Sequence, residues 1–335
     1  MNVLVTGGAG YIGAHVVRLL RRAGREVLVA DDLSTGSADR VAGTPLVRVD
    51  LAEASSVEPL AAACRRHGVT AVVHLAARKR VDESVARPVW YARQNVGGLV
   101  HVLRAVRAAR VGTVVFSSSA AVYGCPDGSP VGEDDALRPL SPYGWTKQAG
   151  EQLVRDVARS GAVRAVALRY FNVAGAASAD LGDAGEHNLV TRALAGLARG
   201  ERPQVFGTDY PTPDGSCVRD YVHVEDLAEA HVAALDGLES GAPLRDAYNV
   251  GTGRGSSVLE MLAHLGEATG LDASPVAAPR RQGDPASVVA SVDRIRDDLG
   301  WAATRSAEEI VASAWEAWSA AHRSATPPPA SARRA

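Results

Sequence analysis

The feature that most constrains this chain lies at its N-terminus, where a strand, a glycine-rich turn and a helix follow one another directly. Val3–Thr6 is a short apolar and β-branched run, and the residues after it carry glycines at Gly7, Gly10 and Gly13. This G-x-x-G-x-x-G spacing leads into an amphipathic stretch near Tyr11–Ala23 that predicts a helix. Because glycine allows tight turns and close backbone packing, the segment predicts the first βα unit of an α/β fold.

Short strands and amphipathic helices continue to alternate through the first half of the chain. Further strands are predicted at Val27–Asp31, Leu46–Val49, Ala71–Leu75, Val114–Ser117 and Ala165–Leu168. Helices are predicted near Ser55–His67, Asn95–Ala109 and Pro142–Ser160. Strands separated by helices of this length imply right-handed crossovers and a mostly parallel, doubly wound sheet.

The composition changes after Asn172, where Gly, Ala, Asp and Pro become frequent. Helices are predicted to resume at Leu189–Arg199, Val224–Leu238, Ser257–Thr269 and Ala307–Ala321, with loops at Gly175–Gly185 and Thr208–Ser216. We expect residues 1–172 to form one domain that also receives residues 205–240, and residues 173–322 to form a smaller, interleaved, discontinuous α/β lobe. Residues 323–335 are rich in Pro, Ala and Arg, a composition typical of a disordered tail.

Charge and composition exclude several classes of function. The net charge is −2 over 335 residues, so no basic footprint for nucleic acid or an anionic membrane is present. No run approaches the roughly 18 apolar residues of a transmembrane helix, and the first residues do not resemble a secretion signal. Three cysteines without metal-ligand spacing are typical of a reduced, cytoplasmic protein, and no metal site is expected.

The glycine turn itself predicts a dinucleotide site. The turn lets the backbone approach a pyrophosphate, and the helix that follows presents free N–H groups and a positive dipole end to the phosphates. Asp31 closes the second predicted strand, where a carboxylate accepts hydrogen bonds from a ribose diol and repels a 2′-phosphate. The combination favours NAD over NADP. A capping aspartate in an ordinary turn is the simpler alternative.

A second candidate site follows from the scarcity of lysine. Of the 36 basic residues only Lys79 and Lys147 are lysines, so a lysine here indicates a position that needs a compact ammonium. Ser141 can cap a helix that opens with Pro142, which places Tyr143 and Lys147 one turn apart on the same face. A nearby ammonium and the positive ring of NAD⁺ favour the phenolate and lower the tyrosine pKa, which suits a general base. The alternative is an ordinary surface Tyr/Lys pair.

Serines close the strand predicted at Val114–Ser117. Ser117, Ser118 and Ser119 stand where the carboxyl end of a strand in a doubly wound sheet faces the ligand crevice. A serine hydroxyl there could bind a reacting hydroxyl or carbonyl group, or simply cap the strand end.

The glycine spacing and the Tyr–Lys pair together resemble the short-chain dehydrogenase/reductase superfamily. A longer series of motifs is similar to the UDP-glucose 4-epimerase family, an extended branch of that superfamily, and runs in the family's order over residues 1 to about 320. The Asp-Tyr-Pro-Thr and Val-Arg-Asp-Tyr motifs are the most specific. The matching segments are Val3–Gly13, Ser117–Gly124, Ser141–Gly144, Arg169–Asn172, Asp209–Gly215, Val218–Val224 and Pro279–Asp284.

The resemblance implies a Rossmann-type sheet that binds NAD, and it implies roles for individual residues. It makes Ser119, Tyr143 and Lys147 the catalytic trio. Around NAD it places Gly7, Gly10, Tyr11, Ile12, Gly13, Asp31, Asp50, Leu51, Leu75, Lys79, Asn95, Tyr143, Lys147 and Phe171. Around the nucleotide sugar it places Ser119, Tyr143, Asn172, Asn188, Val205, Phe206, Arg219, Arg281, Asp284 and Val288.

The implied reaction interconverts UDP-glucose and UDP-galactose through a 4-keto sugar, a step of galactose metabolism with no net redox change. Tyr143 would remove the 4-hydroxyl proton while NAD⁺ oxidises C4. Val288 falls where family members carry a residue that limits the sugar pocket, so a valine suggests that N-acetylated UDP-hexoses also enter. Leu75 and Thr191 also depart from the family's usual phenylalanine and proline, and the Gly175–His187 segment looks short.

Other functions remain as alternatives at this stage. A 4-epimerase could act on a UDP-linked N-acetylhexosamine, uronic acid or pentose. A nucleotide-sugar dehydratase would need an Asp-Glu pair after the strand-end serine, and Ala120 and Ala121 stand there instead. A non-catalytic NAD-binding regulator would be expected to lack Ser119, Tyr143 or Lys147. The family also suggests a homodimer through the helices near Asn95–Ala109 and Pro142–Ser160.

Overall fold

The computed structural model describes residues 1–126, 128–281 and 283–323, and over these residues the chain forms thirteen strands and eleven α-helices. The strands are β1 (Val3–Thr6), β2 (Val27–Asp31), β3 (Leu46–Arg48), β4 (Ala71–His74), β5 (Thr113–Ser119), β6 (Arg164–Tyr170), β7 (Asn172–Ala174), β8 (Gln204–Phe206), β9 (Val218–His223), β10 (Ala247–Val250), β11 (Gly255–Ser257), β12 (Val276–Ala278) and β13 (Ser287–Val288). The helices are α1 (Tyr11–Arg22), α2 (Val57–Arg66), α3 (Val81–Ala86), α4 (Pro88–Tyr91), α5 (Gly98–Ala109), α6 (Pro142–Arg159), α7 (Leu189–Ala198), α8 (Val224–Glu239), α9 (Val258–Thr269), α10 (Asp293–Leu299) and α11 (Ala307–Arg323). A π-helical turn at Ala92–Gly97 joins α4 to α5.

The central sheet has the strand order β10-β6-β5-β4-β1-β2-β3, and each neighbouring pair is parallel. The predicted α/β, doubly wound, mostly parallel sheet is therefore confirmed. The strand order reverses between β1 and β4, so the carboxyl ends of these strands open a crevice. Helices cover both faces of the sheet. On one face α1 packs against α8, and on the other α2 packs against α5.

The predicted elements of the first half are present, and their ends differ by a few residues. β5 runs to Ser119 and β6 to Tyr170, beyond the predicted limits, because the two strands keep pairing up to Ser119 opposite Tyr170. Serine is a weak strand former, so composition alone placed the end of β5 too early. Strands β7 to β13 are short, and the sequence analysis did not predict them.

Each face of the sheet buries its own apolar cluster. Val5, Val16 and Leu235 belong to the cluster under α1 and α8, and Leu60 and Val102 to the cluster under α2 and α5. The central strands are buried on both sides, which explains why their sequences are apolar runs rather than alternating patterns.

The second half of the chain builds a smaller layer beside the carboxyl edge of the central sheet. β9 pairs with β7, β11 and β13, and β8 pairs with β12. Helices α7, α9 and α11 pack around a separate cluster that includes Leu194, Met261 and Ile310. The chain also returns to the central sheet through α8 and β10, so the two layers interleave.

The domain limits given above stay a prediction, and the tail at 323–335 lies outside the described residues except for Arg323, which ends α11. In the part of the chain that the structure describes, no helix has the length and apolar character to cross a membrane.

Candidate active site

The glycine turn between β1 and α1 has no room for side chains. A Cβ at Gly13 would lie 2.1 Å from the Gly7 carbonyl oxygen, and one at Gly7 would lie 2.7 Å from the Ala76 nitrogen. Gly7 also has a φ of +70°, which side chains disfavour. Both contacts are with backbone atoms, which cannot move aside as a flexible side chain could. Positions 7 and 13 therefore accept only glycine.

The N-terminus of α1 is left open for a ligand. Gly10 is its N-cap residue and has no side chain to satisfy the first N–H groups. Ala9 N donates instead to Asp31 Oδ2 at 3.0 Å, and Leu33 N donates to Asp31 Oδ1 at 2.8 Å. Asp31 thus fixes the glycine turn as well as standing at the end of β2, where a ribose would lie. These donors and this carboxylate fit the dinucleotide predicted from the sequence.

A cleft runs along the carboxyl ends of β1, β2 and β4 from this turn. Twelve residues predicted to surround NAD line it: Gly7, Gly10, Tyr11, Ile12, Gly13, Asp31, Asp50, Leu51, Leu75, Lys79, Tyr143 and Lys147. We call it the cofactor cleft.

Two other residues predicted around NAD do not line the cofactor cleft. The Asn95 amide hydrogen-bonds the Arg78 backbone and Thr146 Oγ1, so it stabilises the part of the cleft wall that Arg78 forms without lining the cleft itself. Phe171 is buried beside Val122 and Tyr123, and Tyr170 lines the cleft in its place. Direct contact of Asn95 and Phe171 with NAD stays a prediction.

Arg78 is the main residue of this cleft that sequence reasoning missed. Its guanidinium pairs with Asp32 at 2.7 Å and donates to Ser34 Oγ at 2.6 Å and to Gln94 Oε1 at 3.1 Å. It joins the loop after β2 to the turn preceding α5. In a chain with so many arginines, composition gave no signal for this position.

The Tyr–Lys pair lies at the inner end of the cofactor cleft. Ser141 caps α6 by accepting a hydrogen bond from Gly144 N at 3.1 Å, and Pro142 occupies the first turn, as predicted. Lys147 is almost fully buried, and its Nζ donates to the Ser117 carbonyl oxygen at 2.8 Å and lies 5.9 Å from the centre of the Tyr143 ring. Ser119, the last residue of β5, lies close enough to the Tyr143 phenol to lower its pKa as a hydrogen-bonding partner. The structure therefore brings the three predicted residues together.

Burial dominates the titration of the pair. It raises the pKa of Tyr143, and the hydrogen bond to Ser119 only partly offsets that rise. Burial lowers the pKa of Lys147 to about 8, against the opposing effect of the Glu151 carboxylate. From the sequence, a neighbouring ammonium together with the positive ring of NAD⁺ is expected to lower the tyrosine pKa. In this structure the net shift is upward because the phenol is enclosed.

A buried ion pair supports the strand that carries the serines. Arg169 on β6 donates to both oxygens of Glu151 on α6, at 2.9 and 2.6 Å, and Ser118 Oγ donates to the same carboxylate. Arg169 also donates to Tyr123 Oη at 3.0 Å. All of these side chains are buried and partnered, so the end of β5 is held firmly against α6. Ser118, Tyr123 and Arg169 lie in segments that match the family motifs, but the sequence assigned no role to them or to Glu151.

A second cavity of about 860 Å³ opens beside the smaller layer, and we call it the substrate cavity. Six of the residues predicted to bind the nucleotide sugar line it: Asn172, Asn188, Phe206, Arg219, Arg281 and Asp284. Arg281 lies over the Phe206 ring, 3.9 Å from its centre, and Arg219 forms an ion pair with Asp284. Residues that the sequence analysis did not single out also line it, among them Glu186, His187, Arg192, Arg199 and Arg202.

Four other residues predicted around the nucleotide sugar lie outside the cavity wall. Tyr143 lines the cofactor cleft, and Ser119 contacts Tyr143. Val205 is buried in the cluster of the smaller layer. Val288 pairs with Arg219 in the β13–β9 ladder and packs against the cluster that contains Val122 and Phe171. The roles of these residues toward the sugar stay predictions.

A parallel sheet with a glycine turn at its switch point and a Tyr–Lys pair in the same cleft defines a dinucleotide-dependent enzyme of the short-chain dehydrogenase/reductase class. Residues 3–251 match the model of the NAD dependent epimerase/dehydratase family. A UDP-glucose 4-epimerase of Azospirillum brasilense is 46% identical over 307 residues, which cover 90% of this chain and 86% of that protein.

Solved structures agree with this assignment. A UDP-glucose 4-epimerase of Stenotrophomonas maltophila, with bound NAD and formylated UDP-arabinopyranose, superposes with a TM-score of 0.90 at 38% identity, covering 97% of this chain and 99% of that one. The enzyme of Brucella ovis, in complex with NAD, gives a TM-score of 0.88 at 40% identity, covering 93% and 97%. The chain belongs to the NAD-dependent epimerase/dehydratase family and, within it, to the UDP-glucose 4-epimerases.

Proposed function

We propose that this protein interconverts UDP-glucose and UDP-galactose by transient oxidation of the sugar at C4, with NAD as its resident cofactor. The observation that carries the proposal is the meeting of Ser119, Tyr143 and Lys147 at the inner end of the cofactor cleft. The relatives that carry this activity match nearly the whole chain.

The chain's own residues fit NAD. The turn at Gly7–Gly13 and the open N-terminus of α1 suit the pyrophosphate, and Asp31 suits a ribose diol. Lys147 and Tyr170 lie at the end of the cleft away from Asp31, on the side of the proposed chemistry. When bound, NAD⁺ supplies the oxidation of C4 and its NADH form the re-reduction, so the reaction has no net redox change.

Tyr143 is the proposed acid–base residue. Its phenolate takes the proton of the sugar 4-hydroxyl as C4 is oxidised, and the phenol so formed returns that proton when C4 is reduced. Its pKa is raised by burial, so the base form must be stabilised during turnover by positive charge beside it. Lys147, which is fixed by the Ser117 carbonyl, supplies that charge, and Ser119 holds the phenol oxygen in place.

The substrate cavity suits a nucleoside diphosphate. Arg219 and Arg281 face it and can donate in pairs to phosphate oxygens, which a lysine cannot do in the same geometry. Asn172 and Asn188 add neutral amide groups for the sugar and phosphate. In this arrangement the UDP group provides the binding energy, and the hexose is held more loosely so that both faces of C4 can be presented.

The structure bears on the alternatives unequally. A dehydratase would need carboxylates directly after Ser119, whereas Ala120–Val122 forms a short 3₁₀ turn without one. Epimerisation of another UDP-sugar, including N-acetylated hexoses, stays the second candidate on the sequence argument from Val288, although Val288 does not line the substrate cavity.

The test is to purify the protein, release and identify its cofactor, and incubate the holoenzyme with a panel of UDP-sugars. We expect bound NAD and interconversion of UDP-glucose and UDP-galactose. The ratio of the two sugars should reach the same value whichever of them is the starting substrate. Exclusion of both N-acetylated hexoses would refute the hypothesis on Val288. If NAD-loaded protein converted no nucleotide sugar at all, the regulator alternative would replace the proposal.

We also propose that two copies associate through α3, α4, α5 and α6. Val81, Val85, Val89 and Trp145 on these helices are 48–83% exposed, and together they form an apolar face. A second copy that presents the same face would cover it symmetrically. Light scattering after size-exclusion chromatography should give a dimer, and Val89→Asp should shift it toward monomer. A monomeric wild-type protein would contradict this proposal. The cytoplasmic location expected from the sequence stays a prediction.

A further inference from the structure

The segment of residues 175–188, which we call the bridging loop, connects the walls of the two sites. Its first half is fastened to α1 and the residues after β2. Tyr11 Oη donates to the Gly175 carbonyl at 2.6 Å, Ala177 N donates to His15 Nε2 at 3.1 Å, and Arg40 donates to the Gly182 carbonyl at 2.6 Å. Its last residue, Asn188, caps α7 at the wall of the substrate cavity.

Asp183, near the middle of this loop, touches a predicted ligand-binding residue on each side. Its Oδ2 accepts a hydrogen bond from Asn188 Nδ2 at 3.1 Å, and the same oxygen lies 4.0 Å from Lys79 Nζ. Its Oδ1 accepts from Gly185 N at 3.0 Å, which shapes the loop. Only 9% of the Asp183 side chain is exposed, compared with 53% of Lys79.

The two contacts differ in strength. The Asn188 amide is fully oriented, because its Oδ1 accepts from Thr191 N at 2.9 Å while its Nδ2 donates to Asp183. Losing the Asp183 acceptor would leave the amide held only through Oδ1, so that Nδ2 would have no fixed partner. The ion pair with Lys79 is longer and the Lys79 side chain is half exposed, so this pair contributes less free energy. Lys79 Nζ also lies 5.9 Å from the centre of the Tyr11 ring in the cofactor cleft.

The surroundings of Asp183 show that its carboxylate packs against other side chains and is not a solvated surface group. Burial is the main cause of the raised pKa of Tyr11, and the negative charge of Asp183 adds to it. Asp183 is thus close to Tyr11 as well as to Lys79. It contacts the cofactor side and the substrate side at once, and none of the motifs that identified the two sites includes it.

We propose that Asp183 is a positioning residue that holds Asn188 for the nucleotide sugar and Lys79 for the cofactor through one carboxylate oxygen. The inference rests on the proposed function, because it takes the two sides to be an NAD site and a UDP-sugar site. Asp183 itself touches neither ligand and acts through its two partners.

Two substitutions separate the roles. Asp183→Ala removes the acceptor for Asn188 and the charge toward Lys79. Asp183→Asn keeps an oxygen that can accept from Asn188 but removes the charge. We therefore expect UDP affinity to fall about tenfold in Asp183→Ala and to recover to within about threefold of wild type in Asp183→Asn. NAD release should be about two- to fivefold faster in both variants.

The experiment uses NAD-loaded enzyme, with UDP affinity measured by calorimetry and NAD release by fluorescence after dilution. Asn188→Ala and the double variant Asp183→Ala/Asn188→Ala complete a double-mutant cycle. Because Asp183 acts on UDP through Asn188, these two variants should have the same UDP affinity. Asp180→Ala is the matched control, because it removes a carboxylate from the same loop that pairs with Ser178 instead, and it should leave both quantities unchanged.

The outcomes are distinct. Wild-type UDP affinity and NAD release in Asp183→Ala would overturn the inference, as would independent, additive losses in the cycle. If Asp183→Ala melts early, Asp183→Asn decides the question. UDP affinity that recovers while NAD release stays fast would support the inference. UDP affinity as low as in Asp183→Ala would refute it. Failure of the wild-type holoenzyme to bind UDP would instead refute the proposed function.

Discussion

The cofactor cleft and the substrate cavity are built in different ways. The cleft is made mostly by the carboxyl ends of consecutive strands, and its tightest contacts are between backbone atoms, as at Gly7 and Gly13. The cavity collects short segments between Asn172 and Asp284, and side-chain pairs such as Arg219 with Asp284 hold its wall. Backbone geometry therefore aligns the first site, and side chains align the second.

Charge separates the two sites as well. The substrate cavity is lined by more basic than acidic side chains: Arg192, Arg199, Arg202, Arg219 and Arg281 against Glu186, Glu201 and Asp284. In the cofactor cleft the ammonium of Lys147 is buried, and Asp31 and Asp32 stand at the other end. This difference fits the proposed roles of the two sites, chemistry on a resident cofactor in one and the holding of a diphosphate in the other. Substitutions should therefore affect either turnover or affinity.

The largest effect should come from Tyr143→Phe, which removes the proposed acid–base oxygen and leaves the ring. We expect kcat to fall about a thousandfold, within the range that positioned acid–base groups contribute. UDP affinity should stay unchanged, because Tyr143 does not line the substrate cavity, and NAD content should hold because the phenyl ring still fills its place in the cofactor cleft. Turnover assays and calorimetry check both parts, and full activity would disprove the assignment of the base.

Gly13→Ala should break the cofactor cleft through its backbone. The new Cβ would meet the Gly7 carbonyl at 2.1 Å, so we expect the free energy of unfolding to fall by about 3 kcal/mol and NAD to be lost. Gly97→Ala is the control, since nothing lies within 4 Å of a Cβ there and its backbone is helical. It should be neutral or raise stability by up to about 1 kcal/mol. Equal melting curves for the two variants would contradict this view.

Arg281→Ala should affect only the substrate cavity. Loss of one charged donor to a phosphate should weaken UDP binding about tenfold while NAD retention stays at the wild-type value. Uridine, which has no phosphate, should bind the variant and the wild type alike. Exposed Arg66 at the end of α2 provides a matched arginine-to-alanine control. A comparable loss of uridine affinity would show that Arg281 acts on the base or on the cavity shape.

The smallest effect concerns the free energy of unfolding at acid pH, which should depend on buried histidines in the central sheet and its helices. Burial lowers the pKa of His15 and of His231 to about 4 and that of His74 to about 3. Unfolded histidine binds a proton near pH 6.5, so the unfolded state binds more protons between about pH 6.5 and pH 4. The stability contributed by these neutral side chains is complete above pH 6.5 and declines as the pH falls toward 4.

Denaturant titrations between pH 4.5 and 7.5 check this dependence. His231→Asn should flatten the slope of unfolding free energy against pH, because one of the buried histidines with a lowered pKa no longer titrates. Exposed His187 on the substrate side is the control, and His187→Asn should keep the wild-type slope. An unchanged slope in His231→Asn would contradict the assignment.

The sequence predicted the cofactor cleft well because its determinants are local. The glycines of the turn lie within a few residues of one another, and so do Tyr143 and Lys147. The carboxylate of Asp31 stands at the end of a strand that the sequence predicts. Hydrophobic runs gave the order of the elements, and the parallel sheet followed from the helices between them. Scarce lysine pointed to Lys147 and Lys79, both of which line the cofactor cleft.

Contacts between distant segments become visible only in the folded chain. The sequence alone is enough to predict the α/β fold, the glycine turn and the Tyr–Lys pair. It could not determine the Glu151–Arg169 pair behind Ser119, the place of Arg78, or the carboxylate of Asp183 between Lys79 and Asn188. Such contacts join residues far apart in the chain, and their strength depends on burial and distance. A common Asp or Arg therefore acquires its role only when the fold encloses it.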